Sequence, residues 1–221
     1  MEENKFKVID IFYGVIIPLL LAFLVFFLAV YINPSGDKHI LGESGSIGTV
    51  AVILSQGFAQ MIILGVPLVL GLLWNKWAGG AAGFIMGGMY YVAQAGQYNG
   101  IYVASGVTKY NFFGDISILF WLVNGVIIGY MAGSLANGST NFKRMLGAGL
   151  TASLLTAFIQ VYLNYYWSLT PARGMAQAMW ATNLGEAILI GFVPNIALGV
   201  IVPILAKVMT WYGLQPMKHG Q

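Results

Sequence analysis

The sequence predicts an all-α, polytopic membrane protein. Six transmembrane helices form a single transmembrane domain over residues 1–221, with both termini cytoplasmic. Three observations lead there. Six long apolar stretches fill the chain, and a spanning helix needs ~20 mostly apolar residues, because the hydrocarbon core is ~30 Å thick and each residue rises ~1.5 Å. Only 8% of residues are charged, against roughly a quarter in an ordinary globular domain. The Lys and Arg residues also concentrate on one set of connections, as the positive-inside rule requires of a membrane protein.

The elements follow in order. Span one covers 9–32. That run is longer than a signal-peptide core of ~7–15 residues. It also lacks a clear small-residue cleavage motif before Asn33-Pro34, so a first transmembrane helix is expected rather than a leader. The cluster Asn33-Pro34-Ser35-Gly36-Asp37 ends it as a turn, since Pro fixes φ and Gly permits φ > 0. Span two covers 47–74 and stops at Asn75-Lys76. Span three, 78–98, carries Gly79, Gly83 and Gly87 at i+4 spacing and ends near Gln94 and Gln97. Span four, 113–136, repeats the pattern with Gly125, Gly129 and Gly133, and the break Ala136-Asn137-Gly138-Ser139 follows. Each glycine set makes a smooth stripe along one helix face, where a neighbouring backbone can approach closely. Span five covers 145–167, and span six covers 184–211 with Pro194 and Pro203 inside it.

Charge chooses the orientation. Lys5, Lys7, Lys76, Lys143, Arg144, Lys207 and Lys218 lie on the side of the termini, and only Lys38, Lys109 and Arg173 lie opposite. The longer loops 33–46, 97–112 and 168–183 are therefore expected outside, and the cell membrane is the expected location. Asn137-Gly138-Ser139 matches a glycosylation acceptor but falls on the inner side, so it reads as a plain turn.

Composition excludes several functions. There are no cysteines, which removes disulfides, zinc–thiolate sites and thiol catalysis. The formal charge of +3 is explained by the Lys and Arg flanking the spans; with no basic run present, nucleic-acid binding is not expected. The only histidines are His39, in an outer loop, and His219, in the tail, so neither metal binding nor a bis-histidine haem is expected. A charge at the bilayer centre costs ~2.5–3.5 kcal/mol on insertion scales, so catalysis or proton transfer there would show itself as an intramembrane charged group. No HExxH, no paired Asp and no carboxylate relay occurs. The expectation is a non-enzyme without cofactors.

The candidate residues lie toward the outer side. Asp10 opens span one on the inner side as a first-turn acid, favoured by the helix dipole. Asp115 and Glu186 open spans four and six at one common outer level. They read either as first-turn acids or as ligand groups. Asn195 follows Pro194, which removes a backbone hydrogen bond. Its amide is expected either to serve the freed carbonyl or to touch a neighbouring helix. Tyr, Trp and amide residues crowd the third and fifth outer regions. Part of this is the aromatic belt at headgroup depth. The admixed amides suit a small-molecule pocket of apolar walls and a few fixed polar groups, and an aromatic plane can hold a cation or a flat ring. The substrate-binding candidates are Tyr91, Gln94, Tyr98, Asp115, Asn164, Trp167, Trp180, Asn183 and Glu186.

The layout resembles the substrate-binding S-component of energy-coupling factor vitamin transporters. The resembling stretches are Gly79-Gly80-Ala81-Ala82-Gly83-Phe84-Ile85-Met86-Gly87-Gly88, Asn124-Gly125-Val126-Ile127-Ile128-Gly129-Tyr130-Met131-Ala132-Gly133, and the last span with Pro194-Asn195 and Pro203. Members often carry an Ala-x-x-x-Ala patch on the first helix where the coupling subunit docks. Here that helix reads Leu19-Leu20-Leu21-Ala22-Phe23-Leu24-Val25-Phe26. The resemblance implies capture of a vitamin-like molecule at the outer face. It also implies a transmembrane coupling subunit and two ATPase subunits as partners, and the chain itself holds no Gly-x-x-x-x-Gly-Lys-Ser/Thr to bind ATP. The alternative reading is a non-catalytic structural or accessory subunit of a larger membrane complex, which scarce charge and smooth glycine stripes also suit.

Overall fold

The computed structural model describes residues 15–31, 61–104, 116–166 and 184–213. Within them the chain is all-helical, with no strand. In chain order the helices are α1 (Ile17–Tyr31), α2 (Met61–Leu73), α3 (Lys76–Ala104), α4 (Ile116–Ala136), α5 (Phe142–Tyr166) and α6 (Leu184–Trp211). Segments of α4, α5 and α6, Leu119–Ala136, Phe142–Leu163 and Gly191–Trp211, are long and apolar enough to cross a membrane. Large apolar side chains such as Phe84, Phe158, Leu189 and Val193 are exposed on the outside of the bundle. An apolar exterior of that kind suits a lipid solvent.

Local chemistry sets the helix ends. Asn75 caps α3: its Oδ1 accepts from the Ala78 backbone N–H at 2.9 Å, meeting one of the donors a helix start leaves unpaired. Asn141 does the same for α5 through Lys143 N–H, at 3.0 Å. Helix α4 ends where Asn137 and Gly138 take left-handed φ of 47° and 67°, the geometry that terminates a helix and that Asn and Gly tolerate best. The expected turn at 137–139 is thus present. Arg144 Nε donates to Leu135 O (3.1 Å), and Lys207 Nζ donates to Thr140 O (2.9 Å), tying the end of α6 to this turn.

Among the described residues two boundaries differ from expectation by three residues or more; the predicted starts at 9, 47 and 113 lie outside the described residues. Helix α3 runs on to Ala104, past the predicted end at 98 and into the expected loop 97–112. Beyond Gln97 the chain holds Ile101, Tyr102 and Val103 and no proline. The lone Gly100 costs only about 1 kcal/mol in a helix. Helix α5 starts at Phe142 rather than 145, because the Asn141 cap precedes the basic pair. By contrast α6 matches its predicted bounds, prolines included.

Helix α3 packs most extensively on α4, α5 packs on α6 and on α4, and α1 packs on α3. Gly71 of α2 lies against the Gly129 carbonyl, and Gly65 lies near Leu198 and Val202 of α6, so α2 touches both halves. The apolar core runs between these faces through Leu64, Leu68, Met86, Ile128, Ala132, Met145, Ala152 and Leu198.

Candidate functional site

Among the described residues five polar side chains are buried in the apolar core: Asn124 of α4, Ser153, Thr156 and Gln160 of α5, and Asn195 of α6. Each is at most 1% exposed. Ser153, Thr156 and Gln160 fall at i, i+3 and i+7, which places them on one face of α5. Helices α4 and α6 cover that face from either side.

Small residues bring α6 this close. A Cβ on Gly191 would strike Val161 Cγ2, and one on Gly199 would lie 3.0 Å from Ser153 Oγ. Gly149 lies against Pro203 in the same seam. The short spacing lets two amides meet: Asn195 Nδ2 donates to Gln160 Oε1 at 2.9 Å. The same Nδ2 donates to Gly191 O at 2.7 Å. Pro194 withdraws the donor from Ile190 O, but Asn195 serves the adjacent Gly191 carbonyl and the neighbouring helix together. On the other side, Asn124 Nδ2 donates to Thr156 O at 3.2 Å. Thr156 Oγ1 donates to Ser153 O at 2.9 Å within its own helix.

Four buried polar atoms of this seam have no partner among the described residues: Asn124 Oδ1, Ser153 Oγ, Gln160 Nε2 and Asn195 Oδ1. An unsatisfied buried polar group costs ~1–3 kcal/mol, and native structures hold few of them. Four within two turns of α5 and on the two helices beside it are atoms that ordered water or a polar ligand would satisfy. Among the described residues no group of three or more His, Asp or Glu is placed to hold a metal ion.

The sequence-predicted substrate residues stand as follows. Tyr91 is buried on α3. Its neighbour Tyr90 packs edge-on against Trp121, with ring centroids 4.6 Å apart, and belongs to the core. Gln94 and Tyr98 are on α3, Asn164 on α5 and Glu186 on α6, but their side chains lie outside the described residues, as do Asp115, Trp167, Trp180 and Asn183 altogether. The seam is the feature that sequence reading missed as a unit. Its signal was the spacing Ser153-x2-Thr156-x3-Gln160-x3-Asn164, one polar face on an otherwise apolar helix.

The opposite end of the bundle has a different character. Lys76 Nζ lies 5.7 Å from the Tyr130 ring and 5.8 Å from the Trp77 ring, within cation–π range. Trp77, Trp211 and Tyr212 are exposed there, beside Lys143, Arg144 and Lys207. Cationic and amphipathic aromatic side chains at one level are the usual furniture of a membrane–water interface.

Compared with family models, curated proteins and solved structures, the chain matches none.

Proposed function

We propose that this chain is a membrane-embedded binding subunit for uptake of a small vitamin-like molecule, similar to an energy-coupling factor S-component and energised by partner ATPases. The observation that carries the reading is the buried polar seam with its four unpartnered atoms. A bundle needed only for support gains nothing from orphaned amides in an apolar core, whereas a binding site needs fixed polar groups within apolar walls. The reading includes six membrane crossings with both termini cytoplasmic. Lys76, Lys143, Arg144 and Lys207 gather at the end of the bundle that holds the 74–75 and 137–141 turns, which supports placing that end inside. The ligand would then enter from the opposite end, where Tyr91, Gln94, Asn164 and Glu186 stand on their helices.

The accessory-subunit reading has one observation in its favour. Gly147 has nothing within 4 Å, and Gly147, Thr151, Leu154 and Phe158 make an exposed face on α5 that a partner helix would fit. The remaining membrane-embedded glycines described in α3 to α6 already meet neighbours within the chain.

Purification in a mild detergent, with mass spectrometry of everything retained, separates the two. A small molecule or a coupling subunit with two ATPases is the expected outcome. Stoichiometric unrelated membrane subunits with no small molecule would support the accessory role instead. Once the ligand is identified, Trp167→Ala, Trp180→Ala and Glu186→Gln are expected to weaken its binding while leaving folding largely intact. Unchanged affinity in all three would remove the outer pocket.

A further inference from the structure

The amides of the seam are held in one orientation each, and that orientation selects a ligand class. Asn195 faces Gly191 O at 2.7 Å. A backbone carbonyl only accepts, so the group facing it must be the NH2, and Oδ1 is left as a free acceptor. Because that NH2 also faces Gln160 at 2.9 Å, Gln160 must present its oxygen there and turn its own NH2 away, leaving Nε2 as a free donor. Asn124 is fixed by the same logic: its NH2 faces Thr156 O, and its Oδ1 is a second free acceptor. Asn124 engages Thr156 and Asn195 engages Gln160, one turn further along, so the free donor of α5 and the free acceptors of α4 and α6 belong to residues held within about one helical turn of each other along α5.

This pattern discriminates by charge. A bare cation would meet the Gln160 NH2, and an anion would meet two amide oxygens. None of the five buried polar side chains is ionisable in the working range, so among the described residues no counter-charge offsets desolvation of an ion at the seam. We infer that the seam formed by Asn124, Gln160 and Asn195 binds a neutral group carrying a hydrogen-bond donor and acceptor side by side, as a carboxamide does. The inference rests on the binding-subunit reading and names the chemical class of its ligand. Ser153 Oγ, a turn away from Thr156 toward the basic end, either donates or accepts and adds no charge preference.

Three probes of nearly one shape test it: benzamide, benzoate and benzamidinium. Thermal unfolding of the full chain in lipid nanodiscs is followed as each is added. Benzamide is expected to raise the midpoint in a concentration-dependent way, while benzoate and benzamidinium leave it unchanged. Gln160→Met is expected to weaken the benzamide response about tenfold, the loss of one buried hydrogen bond. The wild-type series decides alone should that variant not fold. Equal responses to all three probes, or a larger response to either ion, would overturn the inference. So would no response to any, which would mean that the seam holds only water. The binding-subunit reading fails separately: a charged molecule retained on purification, with benzamide inert, keeps that reading and discards the neutral class. Benzamide binding with only unrelated subunits retained would keep the site and remove the uptake role.

Discussion

Two helix pairs in this bundle are drawn together by glycine, and they use the closeness in opposite ways. Between α3 and α4 the contact is backbone on backbone. A Cβ added to Gly79 would lie 2.5 Å from Gly129 O, and one added to Gly125 would lie 2.5 Å from Gly83 O. The stripe on each helix is the hole for the other, and no buried polar side chain lies at these contacts. Between α5 and α6, Gly149, Gly191 and Gly199 achieve a similar approach, but they set it beside Ser153, Gln160 and Asn195. The first seam is closed backbone against backbone, with dispersion between surfaces that lipid cannot match as closely. The second leaves polar atoms unpaired among the described residues, so that water or a polar ligand could complete it. Close packing alone therefore says little about function here; what the packed surfaces carry is what separates scaffold from candidate site.

The largest expected effect breaks the first seam. Gly129→Leu would drive a side chain into the Gly79 backbone, with Gly71 close by. Neither backbone can yield as a side chain could, so a loss of at least ~3 kcal/mol is expected. Size-exclusion chromatography should show aggregated or unassembled protein, and a monodisperse variant with wild-type melting would mean the stripes do not pack on each other.

The polar seam should respond less, and differently. Asn195→Leu removes the partner of Gln160 and is expected to cost ~1–2 kcal/mol. Adding Gln160→Leu should recover part of that loss, because the orphaned amide goes with it. A double variant no more stable than the single one would show that the two amides do not act as a pair. The comparison is made by heating in detergent and measuring the soluble fraction.

Smaller still is the cap. Asn75→Ala removes the acceptor for Ala78 N–H, and a loss of about 1 kcal/mol is expected, read as a lower midpoint in the same melt. The smallest effect sharpens the contrast between seams. Gly147→Leu adds a side chain where nothing lies within 4 Å, so no loss is expected, only a gain of up to ~1 kcal/mol from better helix propensity. Should Gly147→Leu leave the isolated chain intact yet prevent retention of a membrane partner, the α5 face would be an assembly surface.

The glycine stripes were legible in the sequence because i+4 spacing is a local property of a helix. That Gly79 would find Gly129, and Gly83 would find Gly125, was not, since register between two helices is set by packing in space and not by the spacing within either one. The candidate site was legible only in pieces. Asn195 read as a companion of Pro194 and Asn124 as the start of a glycine motif, while Gln160 carried no role of its own. The polar face on α5 was visible as a spacing, but a single polar face means little until the neighbouring helices are known. Of the predicted substrate residues, Tyr91 has a described side chain, and it is buried.

Among the described residues the sequence by itself determined helical structure throughout, the bounds of the last helix, the start of α5 to within three residues, and the breaks at 75–76 and 137–139, though not the end of α3. Those properties follow from local hydrophobic length, capping side chains and turn chemistry. Only the tertiary structure decided which stripes close against each other and which amide atoms are left over. The Asn124–Thr156 and Asn195–Gln160 contacts join residues 32 and 35 positions apart. Hydrogen-bond satisfaction is a sum over neighbours in space, so no local pattern could reveal that each of these amides has one end engaged and the other free.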